Sequence, residues 1–183
     1  MKIMDEIQFE LILESIMQRL NQFIQTNGKF KNSKLFEEAV RDQLAKEGLD
    51  IDRNSKAQAF PDIAIGQFGV EVKFTEKDNW RSVANSISEG QRVSGIEKVY
   101  LVYGKMGGVP EVRWGIYGDC VVHVRTSHRL RFEVSMDSPK SLFDELGITY
   151  ENFRQLSDRE KMVYMRKYAK NRQKPGEYIW WLE

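Results

Sequence analysis

The segment 60–74 constrains the fold most strongly, because its pattern predicts two short strands joined by a turn that contains glycine. Asp62 would lie at the start of the first strand, and Glu71 and Lys73 would lie two positions apart on the second. Side chains alternate between the faces of a strand, so Glu71 and Lys73 should project together. The opposite face of the second strand should be buried, and it would be formed by Val70, Val72 and Phe74.

Helical periodicity predicts two helices ahead of this hairpin. Apolar residues recur at helical spacing between about Met4 and Gln25, and Asn27-Gly28 is a typical end signal. Ser33 is a typical N-cap for a second helix. The inner face of that second helix would be formed by Phe36, Ala39, Val40 and Leu44.

After the hairpin, the sequence predicts a third helix and then a series of strands. Asp78 or Asn79 is placed to cap a helix through Arg92, which would direct Val83, Ala84 and Ile87 inwards. The apolar run 98–104 is typical of a buried strand. Three further strands are predicted, at about 111–117, 120–126 and 129–135. A short helix is then predicted over 141–146. A longer helix is predicted to begin at a capping box at Ser157 and to end at Lys170.

This order of elements predicts a mixed α/β (α+β) fold with a central sheet flanked by helices. The length of 183 residues favours one domain. A net charge of +1 argues against a histone-like polybasic binder, although a local basic face would suffice for nucleic acid. Cys120 is the only cysteine, which excludes an intramolecular disulfide and zinc clusters built on several cysteines. The sequence has no apolar run of roughly 18 residues and no signal-peptide pattern, so we expect a soluble cytoplasmic protein without membrane contact.

The polar face of the hairpin carries the residue types that a metal-dependent phosphodiesterase needs. Mg²⁺ prefers oxygen ligands, and Mn²⁺ commonly substitutes for it. Asp62 and Glu71 would be the carboxylate ligands, and the carbonyl of Val72 would add a backbone ligand. Lys73 would orient the attacking water or offset the charge that develops in the transition state.

The pair Pro61-Asp62, followed after eight residues by Glu71-Val72-Lys73, resembles the signature of the PD-(D/E)xK nuclease superfamily. That superfamily includes restriction endonucleases, DNA-repair nucleases and Holliday-junction resolvases. The resemblance implies a restriction-endonuclease-like single nuclease domain over 1–183, with its catalytic core at about 33–104. The remaining part, 105–183, would serve DNA recognition or dimerisation.

Many members of the superfamily carry a glutamate on the helix before the hairpin, and Glu37 and Glu38 are the candidates here. At about 100° per residue, Glu37 falls on the flank of the inner face of the helix, whereas Glu38 points nearly opposite. We therefore predict Glu37 as a third carboxylate that holds the metal directly or through water. Some branches place a glutamine on the helix after the hairpin. Gln91 matches that placement on the predicted third helix, without the downstream tyrosine spacing of the exonuclease-like branch.

Other polar and aromatic residues allow two interpretations each. His123 and His128 could bind metal, but no third ligand has matching spacing, and ordinary strand histidines fit better. The basic residues between 161 and 174 could contact DNA phosphates or form a solvated surface. Trp180 and Trp181 could stack on bases, although a hydrophobic closing segment or a dimer interface is the simpler interpretation.

The sequence thus favours a Mg²⁺-dependent DNA endonuclease of type II restriction type, acting on double-stranded DNA. A structure-specific repair nuclease or a Holliday-junction resolvase is the alternative within the same chemistry. A DNA-binding module without catalysis is the alternative from another class. Cutting both strands together needs two active sites, which favours a homodimer.

Overall fold

Two helices precede the hairpin, as the periodicity predicts. A computed structural model of the protein describes residues 4–51, 59–90, 92–125 and 129–182. In it α1 spans Glu6–Asn27 and α2 spans Ser33–Lys46. The N-cap of α2 is Asn32 rather than the predicted Ser33, because the Asn32 side chain accepts a hydrogen bond from the backbone N–H of Leu35 at 2.9 Å.

The described residues form seven strands in two sheets. In chain order they are β1 (Ile63–Ile65), β2 (Phe68–Thr75), β3 (Arg81–Ser86), β4 (Lys98–Lys105), β5 (Glu111–Ile116), β6 (Val121–Arg125) and β7 (Arg131–Ser135). The first sheet has the order β1-β2-β4-β5, and the second has the order β3-β7-β6. β1 and β2 pair antiparallel as the predicted hairpin, whereas β2 and β4 are parallel and β4 and β5 antiparallel. The fold is therefore α+β with a mixed sheet, as predicted.

The segment after the hairpin is a strand, so the predicted helix over 78–92 is wrong. β3 pairs antiparallel with β7, and Arg81 lies opposite Ser135. The apolar residues of this segment are few, and their spacing suits a short strand as well as a helix. A partner strand far along the chain decides between the two, and local periodicity does not carry that information.

Helices cluster in the second half of the chain. They are α3 (Tyr117–Cys120), α4 (Leu142–Leu146), α5 (Tyr150–Gln155), α6 (Asp158–Arg172) and a 3₁₀ turn (Trp180–Leu182). The predictions of α4 and of α6 with its Ser157 capping box are confirmed. α5 was not predicted, although its N-cap is a sequence signal: the Thr149 hydroxyl accepts a hydrogen bond from the Asn152 N–H at 3.2 Å. None of the described helices is long and apolar enough to cross a membrane.

The first sheet is covered on both faces. One face packs against α1 and α2 through a core that contains Phe9, Leu13, Phe36, Val70, Tyr100 and Val102. The other face packs against the second sheet and the later helices through Val99, Leu101, Tyr103, Phe132 and Phe153. Gly104 allows α2 to approach closely, because a Cβ there would lie 2.8 Å from the Phe36 ring. This close packing fixes α2 and its polar residues against β4.

Candidate active site

The hairpin brings the predicted polar residues together as its alternation requires. Lys73 Nζ lies 3.0 Å from Glu71 Oε1 on β2. Asp62 immediately precedes β1, and its Oδ2 accepts a hydrogen bond from the Val72 N–H at 2.8 Å. The pairing of β1 with β2 begins at Ile63, opposite Val70. The Asp62 carboxylate extends the hydrogen bonding of the two strands beyond this N-terminal end of β1.

The polar face of β2 is covered by the core that the first sheet forms with the second sheet and the later helices, which we call the second core. Glu71 pairs with Leu101 and Lys73 with Tyr103 in the parallel register, so these side chains share a face. Glu71 is 5% exposed as a consequence. The sequence predicted which residues share this face, but not that the second sheet would cover it.

Burial sets the protonation of both carboxylates. It raises the pKa of Glu71 from its ordinary 4.5 to about 7, against the attraction of Lys73, and the nearby Asp62 charge raises it further. Burial also raises the pKa of Asp62, and the Val72 N–H and Lys73 partly oppose that rise. Glu71 is buried and Asp62 partly buried, so a cation bound between the two carboxylates would stabilise their charged forms.

One buried oxygen of this pair is unsatisfied. Glu71 Oε2 has no hydrogen-bond partner among the described residues, while Glu71 Oε1 contacts Lys73. Buried carboxylate oxygens are normally hydrogen-bonded or coordinate a metal. The Val72 carbonyl is directed to the same strand edge as its N–H, and therefore to the side of Asp62. The donor set of Asp62, Glu71 and Val72 is all oxygen, which is the chemistry that Mg²⁺ selects.

Glu37 lies on α2, and its partner is an arginine. Arg41 Nη2 donates to Glu37 Oε1 at 2.8 Å and to the carbonyl oxygen of Asp62 at 2.7 Å. The negative charge of Glu37 nevertheless reaches the site, since it raises the pKa of Asp62. Arg41 was not singled out from the sequence, although its position four residues after Glu37 is the spacing of a helical ion pair.

The carboxylates do not form a three-residue metal cluster. Within the described parts of the chain, no group of three or more His, Cys, Asp or Glu side chains is arranged to hold a metal ion. Mg²⁺ is commonly held by one or two protein carboxylates together with waters and substrate oxygens. Asp62 and Glu71 satisfy that lower requirement, whereas Glu37 Oε1 is engaged by Arg41.

A buried tyrosine lies behind the carboxylates. Burial raises the pKa of Tyr117 well above its ordinary value, and the charges of Glu71 and Glu89 raise it further. Its hydroxyl donates to Asn85 Oδ1 on β3. The sequence did not suggest Tyr117 or Asn85, which come from α3 and β3, elements that lie outside the hairpin.

A buried ion pair holds the segment that leads from β3 back to the hairpin. Glu89 accepts hydrogen bonds from Arg154 Nε at 3.1 Å and from the Tyr150 hydroxyl at 2.7 Å. Its backbone has a φ of 45°, which side-chain-bearing residues rarely adopt. Three residues later, Arg92 forms a bridge with Phe60, two positions before Asp62. The Glu89 network therefore anchors the chain that flanks the start of the hairpin.

The remaining predicted residues do not join the described site. Gln91 lies outside the described residues, and the helix predicted to carry it is absent from the described positions on either side. His123 lies on β6, where its Nδ1 is 2.8 Å from the Tyr168 hydroxyl and burial lowers its pKa. His128 also lies outside the described residues.

Comparison with known proteins does not identify the chain. No protein-family model matches it, and no curated protein matches it. The resemblance to the PD-(D/E)xK superfamily therefore stays a prediction that rests on the residues of the hairpin.

Proposed function

We propose that the protein is a Mg²⁺-dependent DNA endonuclease that hydrolyses phosphodiester bonds, of the type II restriction kind. The observation that carries the proposal is the buried Glu71 beside the partly buried Asp62, with an unsatisfied Glu71 oxygen and Lys73 at 3.0 Å. Such a pair is costly unless a cation binds, because burial disfavours both negative charges.

The residues divide the chemistry between them. Asp62, Glu71 and the Val72 carbonyl would hold the metal, with Mn²⁺ able to replace Mg²⁺. When bound, the metal would neutralise the phosphate oxygens and lower the pKa of a bound water. The Lys73 ammonium would orient the attacking water and offset the charge of the transition state. Glu37 would add negative charge through Asp62, or act through a water-held contact.

The extension of the chain supports a restriction type over a minimal resolvase. β5 continues the first sheet beyond the catalytic core predicted at 33–104, and the second sheet and α3–α6 add further surface. We propose that this region of 105–183 serves the recognition of double-stranded DNA or dimerisation. A homodimer would supply two active sites, and an enzyme of this kind would act in the cytoplasm on DNA there.

The test is a plasmid digest with Mg²⁺ and with EDTA, followed by mapping of the DNA ends. Discrete fragments with fixed ends would support a restriction enzyme, and cutting that depends on DNA branches would support a resolvase or repair nuclease instead. Lys73→Ala should lower the cleavage rate by about 10²–10³-fold, as expected for loss of a preorganised charge-stabilising group. DNA binding should survive in that variant.

A matched control is Glu38→Gln, since Glu38 is an exposed carboxylate on the same helix as Glu37. It should cleave at the wild-type rate. If no DNA substrate is cut with Mg²⁺ or Mn²⁺, the protein is better explained as a DNA-binding module. If Lys73→Ala cleaves like the wild type, the site assignment is wrong.

A further inference from the structure

A second site candidate lies between β6, α6 and the segment 173–182, on residues that the proposed catalysis does not use. A cavity of about 340 Å³ opens there, which we call the aromatic cavity. Its lining includes His123, Tyr168, Tyr178, Trp180 and Trp181. The volume falls at the low end of the range of about 300–1,000 Å³ that is typical of ligand sites, and it suits a nucleotide-sized group rather than a duplex.

A neighbouring cavity extends the same surface. Its volume is about 550 Å³, and it shares Tyr178 and Ile179 with the aromatic cavity. Its basic lining residues are Arg166, Lys167 and Lys170, and we call it the basic cavity. The two cavities therefore lie side by side along the segment 173–182, with aromatic rings in one and cations in the other.

The positive charge of this surface is largely uncompensated. The stretch 166–174 contains five basic residues and no acidic residue. At the basic cavity, the side chains of Arg166, Lys167 and Lys170 have no ion-pair partner among the described residues. At the aromatic cavity, Arg125 and Lys174 likewise have no ion-pair partner among the residues that the structure describes. Arg172 is paired with Glu145 at 2.5 Å. Glu177 is the one acidic residue of the described lining of either cavity, and it accepts a hydrogen bond from the Lys174 backbone N–H at 2.9 Å.

The two tryptophans that line the aromatic cavity differ in exposure. Trp181 is 7% exposed, and its indole N–H has no acceptor among the described residues. Trp180 beside it is 60% exposed, so its ring is free to stack. His123 and Tyr168 are hydrogen-bonded to each other, and burial lowers the pKa of His123. A ligand with a flat ring would stack on the exposed Trp180 ring.

We propose that this surface binds a single-stranded nucleic acid segment, with a base stacked on Trp180 in the aromatic cavity and the phosphates along the basic cavity. Aromatic rings beside a line of unpaired Lys and Arg are the features by which proteins hold single strands without reading their sequence. Every nucleobase has a flat face, and every phosphate is an anion, so DNA and RNA share this chemistry. The site is separate from the hairpin and does not require that the hairpin cleave DNA.

The experiment uses the full chain in EDTA, so that binding is measured without divalent metal. Fluorescence anisotropy with a labelled single-stranded oligothymidine reports the dissociation constant, at several salt concentrations. Trp180→Ala should weaken binding by about 5- to 150-fold, the range for loss of one base–aromatic stack. Trp180→Phe should restore most of the affinity, since it keeps a stacking ring.

Two matched controls separate stacking and charge from general effects. Phe23→Ala removes an aromatic residue that is 45% exposed on α1, far from this surface in the sequence, and should leave affinity unchanged. Lys170→Gln should flatten the dependence of log affinity on log salt by about 0.7, as expected for one lost phosphate contact on a single strand. Lys140→Gln, at an exposed lysine outside both cavities, should leave the salt dependence of the affinity unchanged. A labelled RNA of the same length, bound with the same loss in Trp180→Ala, would show that both nucleic acids use the site.

Three results would overturn the proposal. One is equal affinity of Trp180→Ala, Phe23→Ala and wild type while circular dichroism shows each folded. Another is full competition by an equal concentration of blunt duplex of the same length, which would indicate general phosphate attraction. A third is a lower molar mass of Trp180→Ala than of wild type in light scattering, without loss of oligonucleotide binding. The exposed rings would then form a contact between copies of the chain. Failure of plasmid cleavage would refute only the function proposed for the hairpin.

Discussion

The buried Glu71 should make the metal-free protein less stable as the pH rises. In the unfolded chain its carboxyl group would ionise near 4.5, whereas in the folded protein burial raises its pKa to about 7. Between these values the folded state binds more protons than the unfolded state, so the free energy of unfolding falls as pH rises through the window from 4.5 to about 7.

The size of this effect follows from the difference between the two pKa values. At about 1.36 kcal/mol for each pH unit, the rise from 4.5 to about 7 corresponds to about 3 kcal/mol above pH 7. Glu71→Gln removes the charge and keeps the shape of the side chain. Lys73 loses its partner in the variant, which lowers the net gain. We therefore expect Glu71→Gln to be more stable than wild type by about 1–3 kcal/mol at pH 8, and the difference to vanish near pH 4.5.

The assay is urea unfolding in EDTA at several pH values between 4.5 and 8. Glu38→Gln serves as the control, because Glu38 is exposed, and its stability should stay within about 0.5 kcal/mol of wild type. Adding Mg²⁺ at pH 8 should stabilise the wild type more than Glu71→Gln, since the ligand would bind the folded state and need the carboxylate. A difference between wild type and Glu71→Gln that stays constant over the whole pH range would refute the reasoning, because Glu71 would then ionise alike in both states.

Two further predictions concern the packing around the site. Gly104→Ala should destabilise the protein by about 1–3 kcal/mol in thermal melts, because its new methyl group would lie 2.8 Å from the Phe36 ring. Gly90→Ala is the control, since a methyl group there meets nothing within 4 Å. Equal melting temperatures for the two variants would contradict this packing. Arg154→Met should cost about 3 kcal/mol, because the buried Glu89 would keep only the more distant Arg92, at 3.9 Å, as an ion-pair partner. Adding Glu89→Gln should recover most of that loss in urea unfolding. An additive double variant would show that the pair is not coupled.

Several parts of this protein follow from short-range patterns. α1, α2, α4 and α6 have the helical spacing and capping residues that predict them, and the hairpin 63–75 alternates as a strand pair must. The same alternation places Glu71 and Lys73 side by side, and their contact at 3.0 Å confirms it. These features depend on residues two to four positions apart, and the geometry of a strand or a helix relates such residues directly.

Other parts depend on residues far apart in the chain. β3 becomes a strand through its pairing with β7, and a window of local sequence does not contain that partner. Arg41 acquires its role because α2 lies against the hairpin, where the guanidinium reaches both Glu37 and the carbonyl of Asp62.

The sequence by itself determined which residues form the polar face of the hairpin, since alternation along one strand is enough to assign it. Only the tertiary structure decided that this face is covered by the second core and that Glu71 is 5% exposed. The physical reason is that side-chain direction is a local property of the backbone, whereas burial depends on what distant segments pack on top. The raised pKa of Glu71 and its unsatisfied oxygen follow from that burial, and they are the properties on which a metal site would depend.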